Sequence, residues 1–281
     1  MKHIKQIIPA FCLVMLLISS CKKPVYSLDA LPDQSQLNLE VKQDLAVDPG
    51  GNTVYLITHT DKVEPIWDYG TGRSIRRVDT IRFAFKGDYT IKRSAVTGGG
   101  LVALDPVVVH VTGDNLNYVN DPLWVLLSGG PGNEKVWTVD LDAAGVSKVF
   151  DGPVYFAGDQ FGWDGQCTVS GGNCWTWFPK WSDNTWLCPA GDYGTMTFNL
   201  KGGPFVKVDQ KIIAGSGVAN GTYYLDKDAK TITFTGVTPL NIGMAQVWTK
   251  GYLISLTNTA MQIAFKHPTK AEVEIYNYIA K

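Results

Sequence analysis

The chain has 281 residues, of which 45% are hydrophobic and 18% charged, with a formal net charge of -1. A balance this close to neutral excludes a nucleic-acid footprint and electrostatic docking on an anionic membrane, since both need a basic excess. Almost no stretch carries helical periodicity, which excludes a helical bundle and points to an all-β chain.

Lys2, His3 and Lys5 precede an apolar run over residues 7–18, followed by Ser19, Ser20 and Cys21. The run is too short to cross a bilayer comfortably and reads as a signal peptide over residues 1–20. Small residues just before Cys21 resemble the lipobox of bacterial lipoproteins, in which the cysteine is lipidated. That resemblance implies an anchor at Cys21 and a chain held at the outer membrane, facing the cell surface; a plain secretory signal is the alternative. Residues 21–37 lack periodicity and read as a tether.

Beyond the tether, alternation bounded by turns predicts strands over residues 53–58, 80–85, 89–95, 107–112, 136–141, 154–156, 193–200, 205–209, 221–225, 231–235, 251–256 and 261–265. Gly98-Gly99-Gly100 reads as a hairpin turn. Asn120-Asp121-Pro122 before an apolar stretch predicts one helical turn, at the junction between two units spanning 38–113 and 114–281.

In the first unit, Trp67-Asp68-Tyr69-Gly70-Thr71-Gly72, then Gly87-Asp88-Tyr89-Thr90, then Val107-Val108-Val109-His110-Val111 resemble the polycystic-kidney-disease (PKD) type of immunoglobulin-like domain. Thr71 stands where that family more often has aspartate. The resemblance fits the physics, because Trp67 can fill the space between two sheets and Tyr89 can make the corner that starts a late strand. Arg73, Arg76, Arg77, Arg82, Lys86, Lys92 and Arg93 read as an ordinary solvated edge.

The second unit carries Asp121-Pro122-Leu123-Trp124, Lys135-Val136-Trp137-Thr138-Val139-Asp140, Gly152-Pro153-Val154-Tyr155-Phe156 and Gly191-Asp192-Tyr193-Gly194-Thr195. With the first unit, these motifs resemble lipoproteins of the Bacteroidetes phylum in which a PKD-like domain precedes a β-sandwich. The resemblance implies a glycan-capturing accessory of a polysaccharide-utilisation system, beside an outer-membrane importer, with a jelly-roll-like second sandwich.

Five of the nine tryptophans, Trp163, Trp175, Trp177, Trp181 and Trp186, lie within one glycine-rich stretch. Rigid rings beside carboxylates and amides suit a sugar, whose face stacks while its hydroxyls hydrogen-bond, so Asp159, Asp164, Asp183 and Asn184 are the expected partners. The competing reading buries Trp175 and Trp177 at period two in a sandwich core. Cys167 and Cys174 flank a turn-rich connection and are the disulfide candidates; Cys188 is left over.

No catalytic residue, cofactor or metal is expected. His59, His110 and His267 are scattered singly, which disfavours zinc. Glu272 and Glu274 share a strand face and read as a charged edge, and no Glu-x-Asp-x-Glu string is present. Asp140 and Asp142 read as a strand running into a turn, with a calcium loop as the alternative. The expected ligand is a polysaccharide or oligosaccharide, bound non-catalytically. Docking on an importer or a neighbouring hydrolase is the second reading, and a glycosidase with an unfamiliar carboxylate pair is the third.

Overall fold

A computed structural model describes residues 28–162, 166–243 and 248–281. The expectations for the signal peptide, Cys21, Trp163 and Asp164 lie outside the described residues. All-β character holds throughout, with a single short α-helix among the described residues.

Seven strands build the first unit. Strands β1 (Leu39–Gln43), β2 (Thr53–Thr58) and β5 (Val78–Arg82) form one antiparallel sheet in the order β1-β2-β5. The facing sheet has the order β4-β3-β6-β7, from β3 (Glu64–Asp68), β4 (Arg73–Ser74), β6 (Gly87–Thr97) and β7 (Gly100–Val111). Trp67 is fully buried between them with Val54, Leu56, Ile91 and Val109, and its Nε1 donates to the carbonyl of Arg76 at 3.1 Å. The Tyr89 hydroxyl donates to the carbonyl of Phe85 at 2.8 Å while its ring stacks on Phe83. A tryptophan on the third strand and a tyrosine corner are the marks of an immunoglobulin-like sandwich. Tyr89→Phe is therefore expected to cost about 1 kcal/mol in urea denaturation, the net worth of one hydrogen bond. An unchanged midpoint would show the corner to be ornamental.

The basic residues are not all solvated. Arg77 donates to the carbonyls of Thr60 and Val63, and Arg93 to those of Leu39 and Asp105, so both clamp backbone across strands. Arg73, paired with Asp68 at the surface, fits the expected edge.

Asp48 ties the first unit to the junction. Its buried carboxylate accepts from the Thr53 and Tyr118 hydroxyls and, at 2.6 Å, from the Asn115 amide. Helix α1 (Pro122–Ser128) follows because Asp121 caps its first turn, accepting from the Leu123 amide at 2.9 Å, and proline occupies its first turn. Gly129, at φ 84°, ends it in the left-handed conformation that favours glycine. Trp124 and Leu127 enter the second core, where the Trp137 indole donates to the Leu127 carbonyl at 2.8 Å.

Eight strands then close a barrel. These are β8 (Glu134–Val139), β11 (Gly194–Leu200), β12 (Pro204–Gln210), β13 (Val218–Asp226), β14 (Thr231–Thr235), β15 (Lys250–Leu256), β16 (Ala260–Lys266) and β17 (Glu272–Ala280). From β11 to β17 each strand is antiparallel to the next, and β8 pairs with both β11 and β17. The expected jelly-roll order is thus replaced by a meander in chain order, because successive strands return on their neighbours and β8 seals the gap between the ends. Aromatic side chains fill the interior, with Trp137, Phe198, Tyr223, Phe234, Phe265 and Tyr278 all fully buried.

One edge of β17 serves two partners. Residues 278–280 pair with β8 and close the barrel, while residues 272–276 pair with β9 (Val154–Gly158). Strand β9 in turn pairs with β10 (Thr176–Trp177), the outermost strand of this flap.

Candidate functional site

The flap carries the tryptophan-rich stretch outward. Trp177 lies opposite Phe156 in register and stacks on it with centroids 5.3 Å apart; Phe178 stacks on Tyr155 at 4.5 Å. Phe156 belongs to the barrel core, whereas Tyr155 joins a smaller outer cluster with Ala157, Ala264, Val273 and Ile275. Successive residues of a strand face opposite sides, so the two stacks sit on opposite faces of the flap.

Among the described residues, three tryptophans of the stretch are exposed: Trp175 by 45%, Trp177 by 41% and Trp186 by 72%, with Phe178 at 60%. The core reading of Trp175 and Trp177 is overturned, because β10 is a two-residue edge strand with no sheet packed over it. Trp181 behaves differently. It is half-buried against the barrel core, and a Cβ on Gly145 would lie 3.2 Å from its indole nitrogen, so it wedges the loops rather than offering a face.

The expected hydroxyl partners divide as well. Asp183 is exposed and accepts from the Ser182 hydroxyl at 2.9 Å, with Lys180 at 3.8 Å. Asn184 donates its amide to the Lys180 carbonyl at 2.8 Å, bracing its own turn. Asp159 is half-buried and accepts from the Asn173 amide at 3.1 Å, in the loop closed by the Cys167–Cys174 disulfide. Cys188 is buried and its thiol is pushed up to about 12, which removes it as a nucleophile.

Glu272 and Glu274 do not lie on an edge, since both sides of β17 are paired. Glu274 is fully buried, and desolvation pushes its carboxyl up to about 7. One of its oxygens accepts from the Tyr276 hydroxyl at 3.3 Å, and the other has no partner among the described residues. Side-chain atoms of His267, Glu272 and Glu274 lie within 4.8 Å of one another. Nonetheless, His267 Nδ1 accepts from the amides of Lys270 at 3.0 Å and Thr269 at 3.2 Å, which puts the ring proton on Nε2 toward the carboxylates. A cation bound at Nε2 would need that proton on Nδ1, where two amide hydrogens already point.

Asp140 is fully buried and accepts from the amides of Lys148, Val149 and Phe150 at 2.7, 2.9 and 2.6 Å. Asp142 accepts from those of Ala144 and Val146, each at 3.0 Å. Both carboxylates face N–H donors, so the loop is organised by its own backbone and a calcium ion there would meet amide hydrogens.

A cleft of about 260 Å³ lies beside Phe178, lined also by Asp151, Tyr155, Gln262 and Asn277. Its sequence signals were an amide inside the apolar run 260–265 and another between Tyr276 and Tyr278, which a search for tryptophans passes over. A second cleft, of about 470 Å³, lies where the two units meet, between Tyr69, Lys86 and Lys92 on one side and Phe205 and Thr222 on the other.

No protein-family model matches the chain, and no curated protein matches it.

Proposed function

We propose that this protein is a surface lipoprotein, anchored through Cys21, that binds a polysaccharide or oligosaccharide without cleaving it. One contrast carries the reading. The four tryptophans outside the glycine-rich stretch, Trp67, Trp124, Trp137 and Trp248, are all buried, whereas Trp175, Trp177 and Trp186 are exposed. Exposed rings of this size mark a binding surface. Trp177 lies in β10 and Trp175 just before it, so an extended backbone across the two would set their rings on one side, about 6–7 Å apart, as a short ridge for stacking.

Non-catalytic capture fits the acidic residues too, because Glu274 presents no surface to a polymer. A few stacked faces give modest affinity per site, so retention depends on many contacts along one polymer. The anchor and the outer-membrane location rest on the leader sequence, and the PKD-type assignment on its motifs.

Affinity electrophoresis of the full chain in a sugar-free detergent, through gels containing plant, algal or host polysaccharides, is the test. Retardation by one polymer class is expected, reduced about tenfold in apparent affinity by Trp175→Ala, Trp177→Ala or Trp186→Ala, the worth of one lost ring face. Retardation that survives all three substitutions would remove the ridge from the site. No retardation by any polymer would favour the aromatic face as a dock for an importer or a neighbouring hydrolase.

A further inference from the structure

We infer that the cleft beside Phe178 is a second carbohydrate site, separate from the tryptophan ridge, that takes one neutral pyranose ring. It lies on the outer face of the barrel wall, beside the small apolar cluster of Tyr155, Ala264, Val273 and Ile275. Across that face runs a ladder of polar side chains: Ser255 donates to Gln262 at 3.0 Å, Gln262 to Asn277 at 2.9 Å, and Asn277 to the Gly152 carbonyl at 2.7 Å. A shift in the pairing of β15 with β16 between Leu253 and Ser255 sets Ser255 opposite Gln262, so the strand's irregularity is what extends the ladder. Bulges of this kind re-aim side chains next to functional sites.

The ladder ends at the cleft. Gln262 and Asn277 line it, and among the described residues each gives one of its two amide hydrogens to the ladder, leaving the other without a partner there. The exposed carboxylate of Asp151 adds an acceptor at the rim. Opposite stands Phe178, held in place by its stack on Tyr155 and 60% exposed. One aromatic wall facing two amide donors and a carboxylate matches a pyranose, which has an apolar face and a rim of hydroxyls. At about 260 Å³ the space falls below the range for drug-sized ligands and suits a single ring. Asp151 repels a uronic acid, which makes neutral sugars the class.

The test is amide NMR of the full chain in sugar-free detergent, titrated with glucose, galactose, mannose and xylose, with galacturonate as the charged control. At least one neutral sugar is expected to shift the side-chain amide signals of Gln262 and Asn277 at millimolar concentration, and galacturonate to do so more weakly. Phe178→Ala should weaken the response about tenfold, while Trp177→Ala, whose ring stacks on Phe156 on the other face of the flap, should change it less than about twofold. If Phe178→Ala fails to fold, Gln262→Met supplies the same arm by deleting the donor at similar volume. Amide signals that stay unmoved by every sugar, or that respond equally in both variants, overturn the site. The outcome is independent of the electrophoresis: shifts without polymer retardation leave this cleft standing and remove the ridge, and retardation without shifts does the reverse.

Discussion

Replacing Asp140 with alanine is expected to lower stability by about 3–5 kcal/mol, from the loss of three charge-assisted hydrogen bonds and the stranding of their donors. The amides of Lys148, Val149 and Phe150 all point at this one buried carboxylate. Asp140 itself emerges from the strand that seals the barrel, its amide donating to the Asn277 carbonyl at 2.8 Å. The substitution thus loosens both the closure of the barrel and the loop whose Val149 and Phe150 line the cleft beside Phe178. Thermal denaturation should fall by about 10 °C. Asp140→Asn, which keeps one accepting oxygen, should lose roughly half as much. A fall of less than about 1 kcal/mol in the alanine variant would mean that water replaces the carboxylate and that the loop is not held from this point.

Where the sequence was legible, the physics was local. Trp67 and Tyr89 announce a sandwich because a buried indole and a corner tyrosine each act within a few residues of their own strand, and turn-bounded alternation located most of the barrel strands. The closure of the barrel was not legible, since it depends on Val139 pairing with Tyr278, far away in the chain. For the same reason Glu272 and Glu274 looked like an edge: alternating glutamates read alike whether a strand has one neighbour or, as β17 has, three. Within the tryptophan stretch, composition told that rings were plentiful but not which were free. Trp181 and Trp186 have similar neighbours in sequence, yet one is wedged behind Gly145 and the other stands in solvent, a difference made by loops folding back from residues 142–152. Phe178 is not legible in the sequence, because its setting comes from Tyr155 beneath it and from amides on two other strands.

Stability should decline as the pH rises from about 4.5 to about 7, and Glu274→Gln should abolish that decline. In the folded protein the Glu274 carboxyl is pushed from an ordinary 4.5 up to about 7 by burial, with Glu272 adding repulsion. The folded state therefore holds this proton more tightly than the unfolded chain does. Its contribution is full below pH 4.5, is lost progressively as pH rises toward 7, and stays lost above it. At 1.36 kcal/mol per unit, the difference between the two values corresponds to about 3 kcal/mol at most. The carboxylates that accept hydrogen bonds at Asp48 and Asp192 are shifted the opposite way, below their ordinary range, so their effects fall at more acid pH and leave this window clear. Urea midpoints measured at pH 5, 6, 7 and 8 separate the cases. Parent and Glu274→Gln should converge at pH 5 and part by pH 8, with the variant the more stable; parallel curves would show that Glu274 ionises without penalty. The residue lies in register between Phe156 and Phe265, and Phe156 is the ring on which Trp177 rests. A charge forced into that row strains the support of Trp177, so whatever stability the glutamate loses at neutral pH is lost directly beneath that exposed ring.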